Sequence, residues 1–345
     1  MGHLKETQPP LSLRGNFSWV LAGNLTYAAS QWGVLIIIAR LGGAQLLGQF
    51  AYALAVSAPI IVFSKLQLRV VVATDASRDH RFFDYFGLRV LTTIAALVLI
   101  ISIAAVGDHS SNASRVIILV GVAKASEAIS DLVFGLFQQI ERMDKVAISL
   151  ALRGLVTLIA VALSMQLSHS IVLGAASMAV VWTGVLVCID LPMAWRVLRP
   201  KALVWRNLLR RLEWRTQGLL LKLSFPLGLT MLLVSLNGNI PRYLLEHHHG
   251  EAELGVFAAL AYLLVAGSTV VNALGQASSP RLAQYFSKSD PRGVKRLLYP
   301  LVGIGGLLGG LGVAVAILAG APILHLLYGP EYAAFSEVLV LVMVG

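Results

Sequence analysis

The chain has 345 residues, 57% of them hydrophobic and 13% charged, with a net charge of +10 and a mean hydropathy of +0.78. A soluble domain carries about 25% charged residues, so this composition excludes one, and repeated apolar runs of about 20 residues point to membrane helices and not to a barrel. The lone Cys188 excludes an internal disulfide, and the positive charge is not a nucleic-acid signal, because it gathers on one side of the topology that follows.

Residues 1–13, with Pro9 and Pro10, read as a cytosolic tail. The apolar segment after it is too long for the core of a signal peptide, so it is read as an uncleaved first span. Span 1 is predicted from Asn16 to Ile38 and span 2 from Phe50 to Leu66, with a tight glycine-bearing turn, Arg40 to Gly48, between them. Span 3 covers Phe86 to Val106, span 4 Val116 to Phe137, span 5 Val146 to Leu167 and span 6 Ile171 to Ile189. A basic segment, 195–222, breaks the hydrophobicity. Span 7 runs from Leu223 to Leu245, span 8 from Leu254 to Leu274 and span 9 from Leu297 to Leu318. A tenth apolar stretch begins near Ala333 and ends at Gly345, too short to cross a bilayer.

Of the 27 lysines and arginines, all but four fall in the tail and the even-numbered loops; Arg40, Arg115 and Arg242 lie opposite, and Lys124 lies within a span. That asymmetry predicts a cytoplasmic N-terminus.

Span 4 carries Lys124, Glu127 and Asp131, at helical steps of three and four that place all three on one face. Charge at that depth costs several kcal/mol unless it is paired or faces a wet cavity. The expectation is a polar lumen that handles a solute or a coupling ion. Lys124 either meets an anionic substrate or neutralises Glu127. Glu127 and Asp131 either exchange a proton or stay ionised in pairs.

Gly43-Ala-Gln-Leu-Leu-Gly48-Gln-Phe50-Ala51 aligns without a gap on Gly250-Glu-Ala-Glu-Leu-Gly255-Val-Phe257-Ala258. Six predicted spans separate the copies, so they share an orientation. This is the parallel kind of transporter repeat. The predicted architecture is therefore an all-α polytopic membrane protein with two pseudo-symmetric six-span lobes around a central cavity. Its parts are an N-lobe at 1–194, a basic cytoplasmic linker at 195–222 and an incomplete C-lobe at 223–345. Two matched lobes need twelve spans, so the chain is expected to be part of a longer protein.

Asn24 and Gln31 in span 1, and Asn237 and Asn239 in the corresponding span 7, are amides suited to sugar hydroxyls or to bonds between helices. Pro226 and Pro241 are expected to bend span 7. The glycines from Gly303 to Gly312 are read as helix contacts, because no strand precedes them as a phosphate loop would require. His247-His-His249, placed in an outer loop, lacks the spacing of a helical metal site, and no metal or cofactor is expected.

Four stretches carry a resemblance: Asn24 with Ile38-Ala-Arg40-Leu-Gly; Leu47-Gly-Gln-Phe-Ala-Tyr-Ala; Phe225-Pro-Leu-Gly with Leu236-Asn-Gly-Asn-Ile-Pro-Arg242-Tyr and Glu253-Leu-Gly-Val-Phe; and Leu327-Tyr-Gly-Pro-Glu331-Tyr. Together they resemble the Wzx-like O-antigen and exopolysaccharide flippases, the polysaccharide-transporter branch of the multidrug/oligosaccharidyl-lipid/polysaccharide flippase superfamily. The resemblance implies a bacterial inner-membrane transporter, not an enzyme. It would flip an undecaprenyl-diphosphate-linked oligosaccharide by alternating access. H+ or Na+ coupling, and a glycan polymerase or glycosyltransferases as partners, come with it. It also places Arg242 among the substrate-lining residues and Lys124 in a cationic lumen. Glu127 and Asp131 depart from a purely cationic cavity and keep open an alternative from the same superfamily, a cation-coupled exporter of small molecules or drugs.

Overall fold

A chain whose apolar runs must satisfy every backbone group internally folds as helices. The structure, a computed structural model, describes residues 12–74, 82–107, 110–198, 214–264 and 290–344, and all their regular structure is helical. The chain divides into two units, Met1–Leu254 and Gly255–Gly345.

The first unit holds α1 (Leu13–Lys65), α2 (Leu68–Thr74), α3 (Phe82–Val106), α4 (Ser111–Gln139), α5 (Met143–Ser168), α6 (Ile171–Val185), α7 (Leu191–Leu198) and α8 (Trp214–His249). Six helices among the described residues are long and apolar enough to cross a membrane. The protein is a multi-pass membrane protein. α4 is also long enough, at 29 residues, but carries the charges that its sequence announced.

The predicted turn between spans 1 and 2 narrows to one residue. α1 continues through it except at Gly43, whose φ of 70° and ψ of −178° only glycine adopts cheaply. The other copy of the repeat does the same: Gly250 has a φ of 90° between α8 and α9, a helix over residues 251–264. The two copies also touch. A Cβ on Gly48 would overlap the carbonyl oxygen of Glu251, and Gln49 Nε2 donates to Glu251 Oε2 at 2.8 Å. Gly48→Ala is therefore expected to lower stability by about 1–3 kcal/mol, the usual cost of overpacking, read as a lower unfolding temperature of purified protein.

From that turn the second half of α1 runs along α8. Tyr52 meets Tyr243 edge-on at 6.4 Å, and the Tyr243 hydroxyl donates to the Ala55 carbonyl. At the other end Phe63 and Phe225 are 5.8 Å apart, and Gly228 lies against Phe63 and Leu66. Pro226 and Pro241 sit inside α8, which runs through both without a break in its helical assignment.

α4 is the central helix. It packs on α1, α2, α3 and α6, and is buried along most of its length. α5 lies against the first half of α1 through small residues. A Cβ on Gly23 would come within 2.6 Å of the Ala147 Cα, and one on Gly154 within 2.9 Å of the Ser30 Oγ. Between α6 and α7, Leu186–Asp190 forms one π-helical turn, so the helix continues from Ile171 to Leu198. Pro192 explains the turn. Its ring would clash with a carbonyl one α-turn earlier, and widening the helix there relieves the clash.

Three expectations change. His247, His248 and His249 belong to the last turn of α8 and not to a loop, because the helix outruns its apolar stretch. Lys65, Arg69, Arg89 and Arg153, counted by sequence as loop cations, lie on helices or between them, and Arg89 and Arg153 are fully buried. Among the described residues, nothing comes within 4 Å of a Cβ placed on Gly303, Gly305, Gly306, Gly309, Gly310 or Gly312, so no described helix makes the contact expected there. The interlobe linker falls largely on 199–213 and the second half of span 8 on 265–274, both outside the described residues.

In the second unit, α10 (Pro291–Leu327) is capped by Asp290, whose side chain accepts from Arg292 and Gly293. It is followed by α11 (Pro330–Ala333) and α12 (Ser336–Val344). The Leu327-Tyr-Gly-Pro-Glu-Tyr stretch forms the turn between them. Gly329 has a φ of 120°, Pro330 starts α11, and the buried rings of Tyr328 and Tyr332 lie 5.5 Å apart.

Candidate functional site

Because α4 is surrounded by helices, its polar face meets protein and not lipid. Glu127 accepts from two ammonium groups: Lys124 Nζ at 2.8 Å, one helical step away, and Lys65 Nζ at 3.2 Å, at the end of α1. One turn on, Asp131 Oδ1 accepts from Arg69 on α2 at 3.3 Å, and Asp131 Oδ2 lies 3.7 Å from Arg89 on α3. Arg89 is fully buried, and that carboxylate is its only counter-charge among the described residues.

A third carboxylate completes the cluster. Arg153 on α5 donates from Nη2 to Asp190 Oδ2 at 3.0 Å and to Ser130 Oγ, on α4, at 2.6 Å; both members of the ion pair are fully buried. Asp190 is the last residue of the π-helical turn, which sets the direction of its carboxylate. Trp182 on α6 is a platform for the cations. Lys124 Nζ lies 5.1 Å and the Arg153 guanidinium 5.4 Å from its ring centroid, and its indole N–H donates to Thr157. Phe134 takes the Arg69 and Arg153 guanidinium groups at 5.9 Å each.

Part of this cluster borders a cavity of about 140 Å³ within the first unit. Glu127 and Asp131 line it with Arg69, Arg153, Asn24 and Tyr27. Of the residues singled out by sequence, the structure brings Asn24, Glu127 and Asp131 to this cavity, with Lys124 bonded at its edge. Gln31 lies further along α1 and does not line it. Asn237 is exposed on α8; Asn239 is buried, donates to the Ser235 carbonyl at 2.7 Å and accepts from Arg242 at 3.1 Å. None of these three reaches the cavity.

Lys65, Arg69, Arg89, Arg153 and Asp190 are the members that sequence reasoning missed. All but Arg153 stand near the end of an apolar run, where a charge reads as topology. Two signals were present. Arg153 sits two turns into the apolar stretch of span 5, and Asp190 is the lone acid at the end of span 6, just before Pro192.

Residues 13–286 match the family described as "Polysaccharide biosynthesis protein". The chain belongs to that family. That membership is in line with the resemblance read from the four stretches. It is 25% identical over 331 residues to the "Capsular polysaccharide biosynthesis protein CapF" of Staphylococcus aureus, an alignment that covers 96% of this chain and 81% of that one. Among solved structures it is similar to the "Outward-facing conformation of a multidrug resistance MATE family transporter of the MOP superfamily". That likeness has a TM-score of 0.48 and 13% identity, and covers 95% of this chain and 74% of the other.

Proposed function

We propose that the protein flips an undecaprenyl-diphosphate-linked oligosaccharide across the bacterial inner membrane, for O-antigen or exopolysaccharide assembly. It works by alternating access of two lobes, 1–194 and 223–345, joined by the basic linker, with the N-terminus in the cytoplasm. One observation carries the reading: the charge balance of the ion-pair cluster around the cavity. Five cations, Lys65, Arg69, Arg89, Lys124 and Arg153, meet three carboxylates, Glu127, Asp131 and Asp190. The carboxylates hold the cations in place, and the surplus suits a diphosphate. Asn24 and Tyr27 supply groups for sugar hydroxyls, while the polyprenyl chain stays in lipid.

A cation-coupled exporter would need a carboxylate free to exchange its ion. Both acids at the cavity are held by two cations each, which favours the anionic cargo.

Arg69 is the test residue. It is the most exposed of the five cations, at 33%, and is not part of the fully buried pair. Arg69→Ala is expected to slow flipping of a lipid-linked oligosaccharide in proteoliposomes by about tenfold, the worth of one charge-assisted hydrogen bond, with an unchanged unfolding temperature. Flipping at the wild-type rate would remove the cavity from the mechanism. Export of a small cation driven by a pH gradient, with no flipping, would replace the reading with the exporter.

A further inference from the structure

A second, larger cavity of about 530 Å³ opens on the other side of α4, between the start of α3 and the end of the α6–α7 helix. Phe82, Phe83 and Phe86 line one wall, Val187 and Leu191 another, and Arg196 is the one charged residue in the lining. It lies between helices that are long and apolar enough to cross a membrane, and at their ends, where α3 begins at Phe82 and α7 stops at Leu198. Trp195 and Arg196 at that level match the aromatic and basic residues of a membrane–water interface.

Arg142, Lys145 and Arg196 lie around the opening, with Asp144 and, in the first turn of α3, Asp84. Asp144 is committed to Arg142, which binds it through Nε at 2.9 Å and Nη2 at 2.7 Å; that hydrogen bond holds the Arg142 pKa above its ordinary value. Lys145, beside them, lies 5.4 Å over the Phe137 ring, where it is repelled by Arg142 and, less strongly, by Arg196, and attracted by Asp144. No carboxylate among the described residues pairs with Lys145 or Arg196.

From this we infer that the cavity is a binding site for an anionic phospholipid of the bilayer. One acyl chain lies between α3 and α6, and the phosphate sits at Arg196 and Lys145. The apolar lining takes hydrocarbon, and basic pockets between membrane helices take anionic head groups. The site is separate from the charged cavity: Val133 lines this one and its neighbour Phe134 lines the other.

The experiment has two arms. First, the photoreactive amino acid p-benzoyl-phenylalanine replaces Phe83 in the full chain, the cell membranes are irradiated, and the adduct is identified by mass spectrometry. A phosphatidylglycerol or cardiolipin adduct is expected. An adduct with a peptide of this same chain, or with a polyprenyl phosphate, overturns the proposal in favour of that occupant. Second, protein purified in mild detergent is titrated with phosphatidylglycerol and the bound lipid counted by native mass spectrometry. The exposed Arg196→Gln is expected to weaken retention about fivefold, and Val187→Trp, which fills the cavity, to abolish it. Equal retention by wild type and both variants, or equal retention of phosphatidylethanolamine, overturns it.

Discussion

Arg153→Ala is expected to destabilise the protein by about 3–5 kcal/mol, because it leaves the Asp190 carboxylate buried without a counter-charge. The measurement is the unfolding temperature and the folded yield of the purified protein. Asp190→Leu, which strands Arg153, is expected to cost a similar amount. The double variant Arg153→Met with Asp190→Leu is expected to recover most of the loss, since well-packed apolar groups replace a buried ion pair at little cost. The same double variant tests what the pair does for transport. If the pair only supports packing, flipping returns with stability. If Arg153 also serves the cavity that it lines, stability returns and flipping does not.

Asp131→Asn is expected to have the next largest effect, and a different pattern of rescue. It leaves Arg89 fully buried with no carboxylate among the described residues within reach, while Arg69 can still turn towards solvent. A loss of about 3 kcal/mol or more is expected. Adding Arg89→Leu should restore stability, whereas adding Arg69→Ala should not. A result in which both second changes rescue equally would mean that Asp131 serves the two arginines alike.

The helical fold was legible because membrane helices obey a length rule, and the ends of the long apolar runs follow it. The repeat was legible for a backbone reason. Gly43 and Gly250 both adopt positive φ, so the same residue type was needed at the same place in each copy. The Lys124–Glu127 pair was legible because its spacing is a single helical step. Its outer partners were not. Lys65 and Arg69 each reach acids 62 residues away, and no local pattern encodes such a contact. The π-helical turn that aims Asp190 was hidden too, since the sequence before a proline shows that a helix must adjust but not whether it widens, bends or stops.

The two ends of the α1–α8 seam are held differently, and this bears on how the helices could part. At the Gly48 end the grip is polar, through Gln49 and Glu251, and backs onto bare main chain. At the far end, Phe63 and Leu66 against Phe225 and Gly228, it is ring edge and hydrocarbon. In a bilayer the second kind of contact is exchanged for lipid at small cost, and the first kind is not. Under the proposed alternating access, the Gly48 end would be the fulcrum and the Phe225 end the free arm. With 15 residues of α1, about 22 Å of helix, between Gly48 and Phe63, a tilt of roughly 10° would swing that arm by about 4 Å.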